Sequence, residues 1–93
     1  MVKHIVVYTL KEGVEKASAV ERIRGLLEPL VGKIPGLLHL EVRKCYQGVD
    51  YALYSELESR EALKNYAVHP LHLAAKEQFK DLLNTRVSAD YEV

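Results

Sequence analysis

One cysteine, one phenylalanine, one methionine and no tryptophan stand among 93 residues, and each scarcity removes a class of protein. With Cys45 alone, no internal disulfide can form, and a zinc site of several thiolates is impossible. That usage fits a reducing compartment, and a cytoplasmic location is expected. A lone thiol near the end of an alternating segment reads as a small packing residue before it reads as a nucleophile. Excess charge is also missing, since 13 Lys and Arg balance 13 Asp and Glu. Nucleic-acid binders carry a clear basic excess, and anionic membranes recruit basic segments, so neither partner is expected. No apolar run approaches the ~18 residues of a membrane helix. The start, Met1 to Tyr8, lacks the apolar core and small-residue cleavage site of a secretory leader. There is no Gly-rich phosphate loop, no G-x-S-x-G elbow, no dinucleotide fingerprint and no paired Asp/Glu cluster. No cofactor and no metal is implied.

What is present is apolar residues, at 48% of the chain, enough to exclude a disordered tail. A single domain over residues 1–93 is expected. A domain of this size removes roughly 60–65% of its unfolded surface from solvent. That supports one modest core, but not a core together with a deep enclosed pocket. A small-molecule site would need a second subunit to complete it.

Val2 to Leu10 alternates as a strand, with Val2, His4, Val6, Tyr8 and Leu10 on one face and Lys3, Ile5, Val7 and Thr9 on the other. Both faces are apolar enough to be covered. From Val14 to about Ile34 the period lengthens, and Val20, Ile23, Leu27, Leu30 and Ile34 form one helical stripe. Pro29 should kink or loosen that helix, and Pro35-Gly36 ends it. Leu37 to Tyr46 alternates again, with Leu38, Leu40, Val42 and Lys44 on one face and Leu37, His39, Glu41 and Arg43 on the other. A turn at Gln47 to Asp50 leads into a third strand, Tyr51 to Leu57. Ser59 is an N-cap for the next helix, which His69-Pro70 interrupts. Pro70 opens a second helical piece that runs to Asn84. Arg86 to Val93 reads as a last strand, its polar face suiting an edge or exposure to water.

The order is β-α-β-β-α-β, an α+β arrangement with one four-stranded antiparallel sheet and both helical segments on one side, the ferredoxin-like split β-α-β. Two helices cover one face of such a sheet. The other face carries Ile5 or Val6, Val7 or Tyr8, and too little charge to meet solvent. A twin sheet should bury it, so that two chains pair as a homodimeric α/β barrel.

Three histidines and a tyrosine could carry chemistry. His4 lies among Val2, Val6 and Tyr8, where a buried, singly hydrogen-bonded imidazole is the plain reading. His69 and His72 flank Pro70 at a spacing that can bring both to one side of a turn. They could bind a metal with a third ligand, or carry a proton. Alternatively His69 caps the second helical piece and His72 lies at the surface. Tyr66, one turn before His69, is a core residue by its stripe, with a hydroxyl free to reach an imidazole or a carbonyl.

Val2-Lys3-His4-Ile5-Val6, Ile34-Pro35-Gly36-Leu37, Tyr66-Ala67-Val68-His69-Pro70-Leu71-His72 and the closing Asp90-Tyr91 are informative together. Over essentially its whole length the chain resembles the stress-responsive A/B-barrel (Dabb) family. The resemblance implies a ferredoxin-like protomer that pairs into a dimeric α/β barrel. Some members are linked to stress responses, and most have no established activity. A polyketide-cyclase branch closes a ring by aldol condensation without a cofactor. There the resemblance puts His72 at the catalytic-base position, Tyr66 where it orients base and substrate, and His4 at a polar position of the same cavity, with His69 beside them. The implied partner is a small apolar or carbonyl-containing ligand held between sheet and helices. The alternative is a cofactor-independent cyclase, isomerase or lyase using His72, Tyr66 and His4.

Overall fold

The computed structural model describes residues 1–93. Strand β1 (Val2–Leu10) is followed by helix α1 (Lys16–Leu27), strands β2 (Leu37–Lys44) and β3 (Tyr51–Leu57), helices α2 (Arg60–Val68) and α3 (Pro70–Glu77), and strand β4 (Leu83–Glu92). The strands form one antiparallel sheet in the order β2-β3-β1-β4, the ferredoxin-like topology. No helix is long and apolar enough to cross a membrane.

The even-numbered face of β1 packs under the helices as the alternation requires, with Val2, His4, Val6, Tyr8 and Leu10 all buried. The α1 stripe is also buried at Val20, Ile23, Leu27, Leu30 and Ile34. The α-helix itself is shorter than the stripe. It ends at Leu27, and Glu28–Leu30 form a 3₁₀ turn with Pro29 inside it. Proline has no N–H to give an α-helical ladder, so the chain tightens there and keeps its apolar side inward by other means. The Glu28 carboxylate then accepts the Val42 N–H at 3.0 Å and the Arg43 guanidinium at 2.7 Å. Burial pushes this carboxyl upward, but bonds from Val42, Arg24 and Arg43 outweigh it and hold the group below its ordinary range. One acid thus covers the free edge of β2, where an open strand would invite another chain.

Two sequence expectations shift. In β2 the register slips between Leu37 and His39. Leu37 therefore turns inward, at 4% exposure, and Leu38 is left outside at 47%, not beside Leu40 and Val42 as alternation predicts. An extra residue in one strand inverts the parity of everything before it. The second helical piece stops at Glu77 rather than Asn84. Phe79 leaves helical angles to bury its ring, and the Leu82 carbonyl accepts the Lys11 N–H at 2.8 Å, drawing Leu83 and Asn84 into β4. As expected, β4 is an exposed edge strand, and its polar residues lie on the helix side of the sheet. Asp90 stands opposite His4, Ser88 opposite Val6, and Arg86 opposite Tyr8. Directly paired residues share a face, so the apolar set Val87, Ala89 and Tyr91 lies on the open side.

Gly36 closes the turn before β2 with φ +83°. A Cβ there would stand 2.7 Å from the Ala62 Cβ in the first turn of α2. Only glycine suits both the left-handed backbone and this approach.

Candidate functional site

The site begins with a broken helix. Pro70 has no N–H to continue α2, so α2 ends at Val68 and α3 starts anew. His69 lies between them in extended conformation, and its Nδ1 accepts the Leu71 N–H at 3.1 Å, capping α3. That N–H would have gone to the Ala67 carbonyl in an unbroken helix. The carbonyl left over accepts a hydrogen bond from the His72 Nδ1–H at 3.2 Å. Since a carbonyl only accepts, this bond sets the tautomer of a neutral His72, with its proton on Nδ1 and the Nε2 lone pair free. Burial holds the imidazole below its ordinary pKa. Lys76, His4 and Arg86 add to the effect, and the Ala67 bond partly opposes it. His72 is therefore an uncharged base near neutral pH.

Tyr66 lies one turn before the break, on the buried face of α2. Its ring centroid is 4.4 Å from that of His72, at 36° to it. The side chain is 3% exposed, and its hydroxyl has no hydrogen-bond partner. Burial, with a smaller contribution from Tyr8, raises its pKa, so the phenol keeps its proton and remains a donor. A buried hydroxyl without a partner costs about 1–3 kcal/mol, and Tyr66 shares this state with Tyr51 alone. From the sheet side, the His4 Nδ1–H donates to the Asp90 carboxylate directly across the β1–β4 ladder.

These groups meet in one cavity of about 230 Å³. His4 and Tyr8 line it from β1, Tyr66 and Ala67 from α2, His72 and Lys76 from α3, and Arg86, Ser88 and Asp90 from β4. A larger hollow of about 540 Å³ adjoins it between α2 and the β1–β4 edge, sharing Leu63, Ala67 and Asp90 as walls. Arg60 of α2 and Glu92 of β4, both lining that hollow, form an ion pair at 2.6 Å.

The structure brings His4, Tyr66 and His72 together. It does not bring His69, whose ring nitrogen is committed to the helix cap and which does not line the cavity. No three His, Cys, Asp or Glu side chains gather as a metal-binding group, so nothing supplies the third ligand that a His69–His72 site would need. His39 sits on the open sheet face beside Glu41 and Tyr54. Sequence reasoning missed Asp90, Ser88, Arg86 and Lys76. The signal was the Arg-x-Ser-x-Asp alternation of the last strand, which antiparallel pairing with β1 puts on the His4 side.

The comparisons with known proteins bear on the fold and the family. A stress-response A/B barrel domain-containing protein of Arabidopsis thaliana is 29% identical over 97 residues, spanning 98% of this chain and 88% of that protein. A solved structure from Bacteroides fragilis, described as a dimeric protein of unknown function with a ferredoxin-like fold, is 32% identical. It has a TM-score of 0.89 and covers 99% of this chain and 95% of its own. The hydroxynitrile lyase of Passiflora edulis shares the fold, with a TM-score of 0.80 at 18% identity, covering 97% of this chain and 90% of its own. The family described as the stress responsive A/B barrel domain matches residues 2–93, and the chain belongs to that Dabb family.

Proposed function

We propose that the protein binds a small carbonyl-bearing molecule in the cavity between sheet and helices. The observation that carries this reading is the Tyr66 hydroxyl, buried, protonated and without a partner beside His72. A carbonyl oxygen in the cavity would accept that donor and remove its desolvation cost. The adjoining hollow leaves room for the rest of a ligand too large for the inner cavity. A thermal-shift screen of small ketones and aldehydes tests the reading on the native protein, Tyr66→Phe and His72→Ala. A ligand that stabilises the native protein should lose its effect in both variants. Equal stabilisation of all three would put binding elsewhere and overturn the reading.

A second reading is favoured by the His72 tautomer. With Nδ1 donating to Ala67 and Nε2 free, the imidazole is poised to take a proton from the carbon next to a bound carbonyl, while Tyr66 hydrogen-bonds the oxygen that gains charge. His4, oriented by Asp90, adds a polar wall. This is the acid–base logic of a cofactor-independent cyclase, isomerase or lyase. Proton–deuterium exchange at the α-carbon of a bound ketone, followed by NMR in D₂O, reads it directly. Exchange should be lost in His72→Ala, and exchange unchanged in that variant would rule His72 out as the base.

Two chains pair in this reading through the open sheet face. Ile5, Val7, Ala52, Val87, Ala89 and Tyr91 lie on that face, with Val87 66% exposed in the single chain. The Bacteroides fragilis relative is described as dimeric. Light scattering at micromolar concentration should give twice the chain mass, and Val87→Asp should return it to the monomer value.

A further inference from the structure

The cavity carries more positive charge than a composition with no net charge implies. Lys76 from α3 and Arg86 from β4 line it from different walls. Neither side chain forms an ion pair anywhere in the structure. The side chain of Arg86 makes one hydrogen bond, a long one of 3.5 Å to the Ser88 hydroxyl. The one carboxylate in the lining, Asp90, is engaged by His4. Two exposed cations therefore line the cavity without a carboxylate partner, near an imidazole that stays uncharged. A neutral ligand would leave their charge uncompensated, whereas an anionic group would satisfy both with charge-assisted hydrogen bonds. Of the two buried tyrosines whose hydroxyls lack a partner, Tyr51 and Tyr66, only Tyr66 lines this cavity, and that is a second, independent feature of it.

We propose that the ligand of this cavity is a small oxo-carboxylate, its carboxylate held by Lys76 and Arg86 and its carbonyl oxygen by Tyr66. This rests on the carbonyl-binding reading above and names the class of molecule it applies to. It also couples binding to basicity. Lys76 and Arg86 both disfavour a proton on His72, so a bound carboxylate offsets their field and makes His72 a stronger base when the ligand is in place. The empty site is kept from charging, and the filled one is readied to take a proton.

The probes are pyruvate, acetoacetate and levulinate, each against its methyl ester, which keeps the carbonyl and removes the charge. Affinity is read by NMR titration of the native protein at neutral pH and low salt. At least one acid should bind about tenfold more tightly than its ester, and rising salt should erase the difference. Lys76→Gln/Arg86→Gln, both changed at exposed positions, should remove the preference for acid while ester binding stays. The His72 pKa should rise when the acid binds and not when the ester binds. Acid and ester binding equally, with binding lost in Tyr66→Phe, would overturn the carboxylate assignment and leave the carbonyl-binding reading intact. An acid preference that survives in the double variant would also overturn it. Binding of neither acid nor ester would overturn both.

Discussion

The two halves of the sheet solve the same packing problem in opposite ways. Over β2 and β3, helix α1 and the turn after it lay down Ile23, Leu30 and Ile34 with Leu37, Leu40 and Val42 in one buried cluster, and Leu27 and Leu53 form its boundary with the cavity. Over β1 and β4, helices α2 and α3 stand off, and the residues facing them are His4, Tyr8, Arg86, Ser88 and Asp90. One half is a dry core, and the other is a cavity with polar walls. The fold does not distinguish them, since each half is a pair of strands under helix. What differs is the side chains placed on the inner face, and the break at His69-Pro70 that turns a carbonyl and an imidazole toward each other. A cavity arises here where packing is withheld, and the dry half supplies the stability that lets the other half stay open.

The sharpest way to test that division is to truncate one inner-face side chain in each half. Ile23→Ala removes a fully buried side chain from the dry half and should destabilise the fold by about 3 kcal/mol. Ser88→Ala on the cavity wall should change stability by less than about 0.5 kcal/mol. Urea midpoints at one fixed protein concentration read both. Comparable losses would mean that the cavity half is packed after all. Next in size is Gly36→Ala, which joins the two halves. It forces a Cβ into a left-handed position 2.7 Å from Ala62 and should cost about 2 kcal/mol. Because Ala62 belongs to α2, the cavity wall should shift too, visible as changed amide shifts at Tyr66 and Ala67.

A smaller and more discriminating comparison is offered by two hydroxyls. Tyr51 and Tyr66 are both buried, and neither hydroxyl has a partner. Tyr51 lies in the dry half, fully buried and stacked on Tyr8 with centroids 4.6 Å apart. Tyr66 faces the cavity. Removing an unsatisfied buried hydroxyl should leave stability unchanged or raise it by up to about 1 kcal/mol at either position. Only Tyr66→Phe should weaken ligand binding. Loss of binding in Tyr51→Phe would mean that the cavity reaches further under the sheet than its walls indicate.

The dry half was the more legible in sequence. Its apolar stripe declares itself by period, and the stripe from Val20 to Ile34 stays correct even though the α-helix ends at Leu27. Errors there came from backbone events that period cannot register, such as the slip that exchanges Leu37 for Leu38. The cavity half was legible only in pieces. His4, Tyr66 and His72 stand out as unusual residues at regular positions, and His69-Pro70 announces a break. The spacing of His69 and His72 could not say which ring turns inward. That is decided by competition for one N–H: Leu71 gives it to His69, and Ala67 is left for His72. Asp90 and Arg86 were invisible as cavity residues because their place depends on long-range pairing with β1, Asp90 with His4 86 residues away and Arg86 with Tyr8. A polar, exposed strand face shows which side of the sheet it occupies only when its partner strand is known.

The smallest expected effect separates the halves by pH. Burial holds the His72 pKa below the ordinary value of 6.5, with Lys76, His4 and Arg86 acting in the same direction. Above about pH 7 His72 is neutral in the folded and the unfolded chain, and its ionisation leaves stability untouched. As pH falls through 6.5 the unfolded chain takes up a proton that the folded chain refuses, so stability drops, and the loss is complete once the folded imidazole is also protonated. Other groups titrate in this window, and comparison with His72→Gln cancels them. The native protein should lose stability relative to the variant between pH 7 and pH 5, seen as a widening gap in urea midpoints. Tyr51→Phe serves as the control from the dry half. Its phenol is pushed far above the range by burial, so the gap between it and the native protein should stay constant over the same interval. A constant gap for His72→Gln as well would mean that the imidazole is solvated, and that the polar half of the fold is wet rather than sheltered.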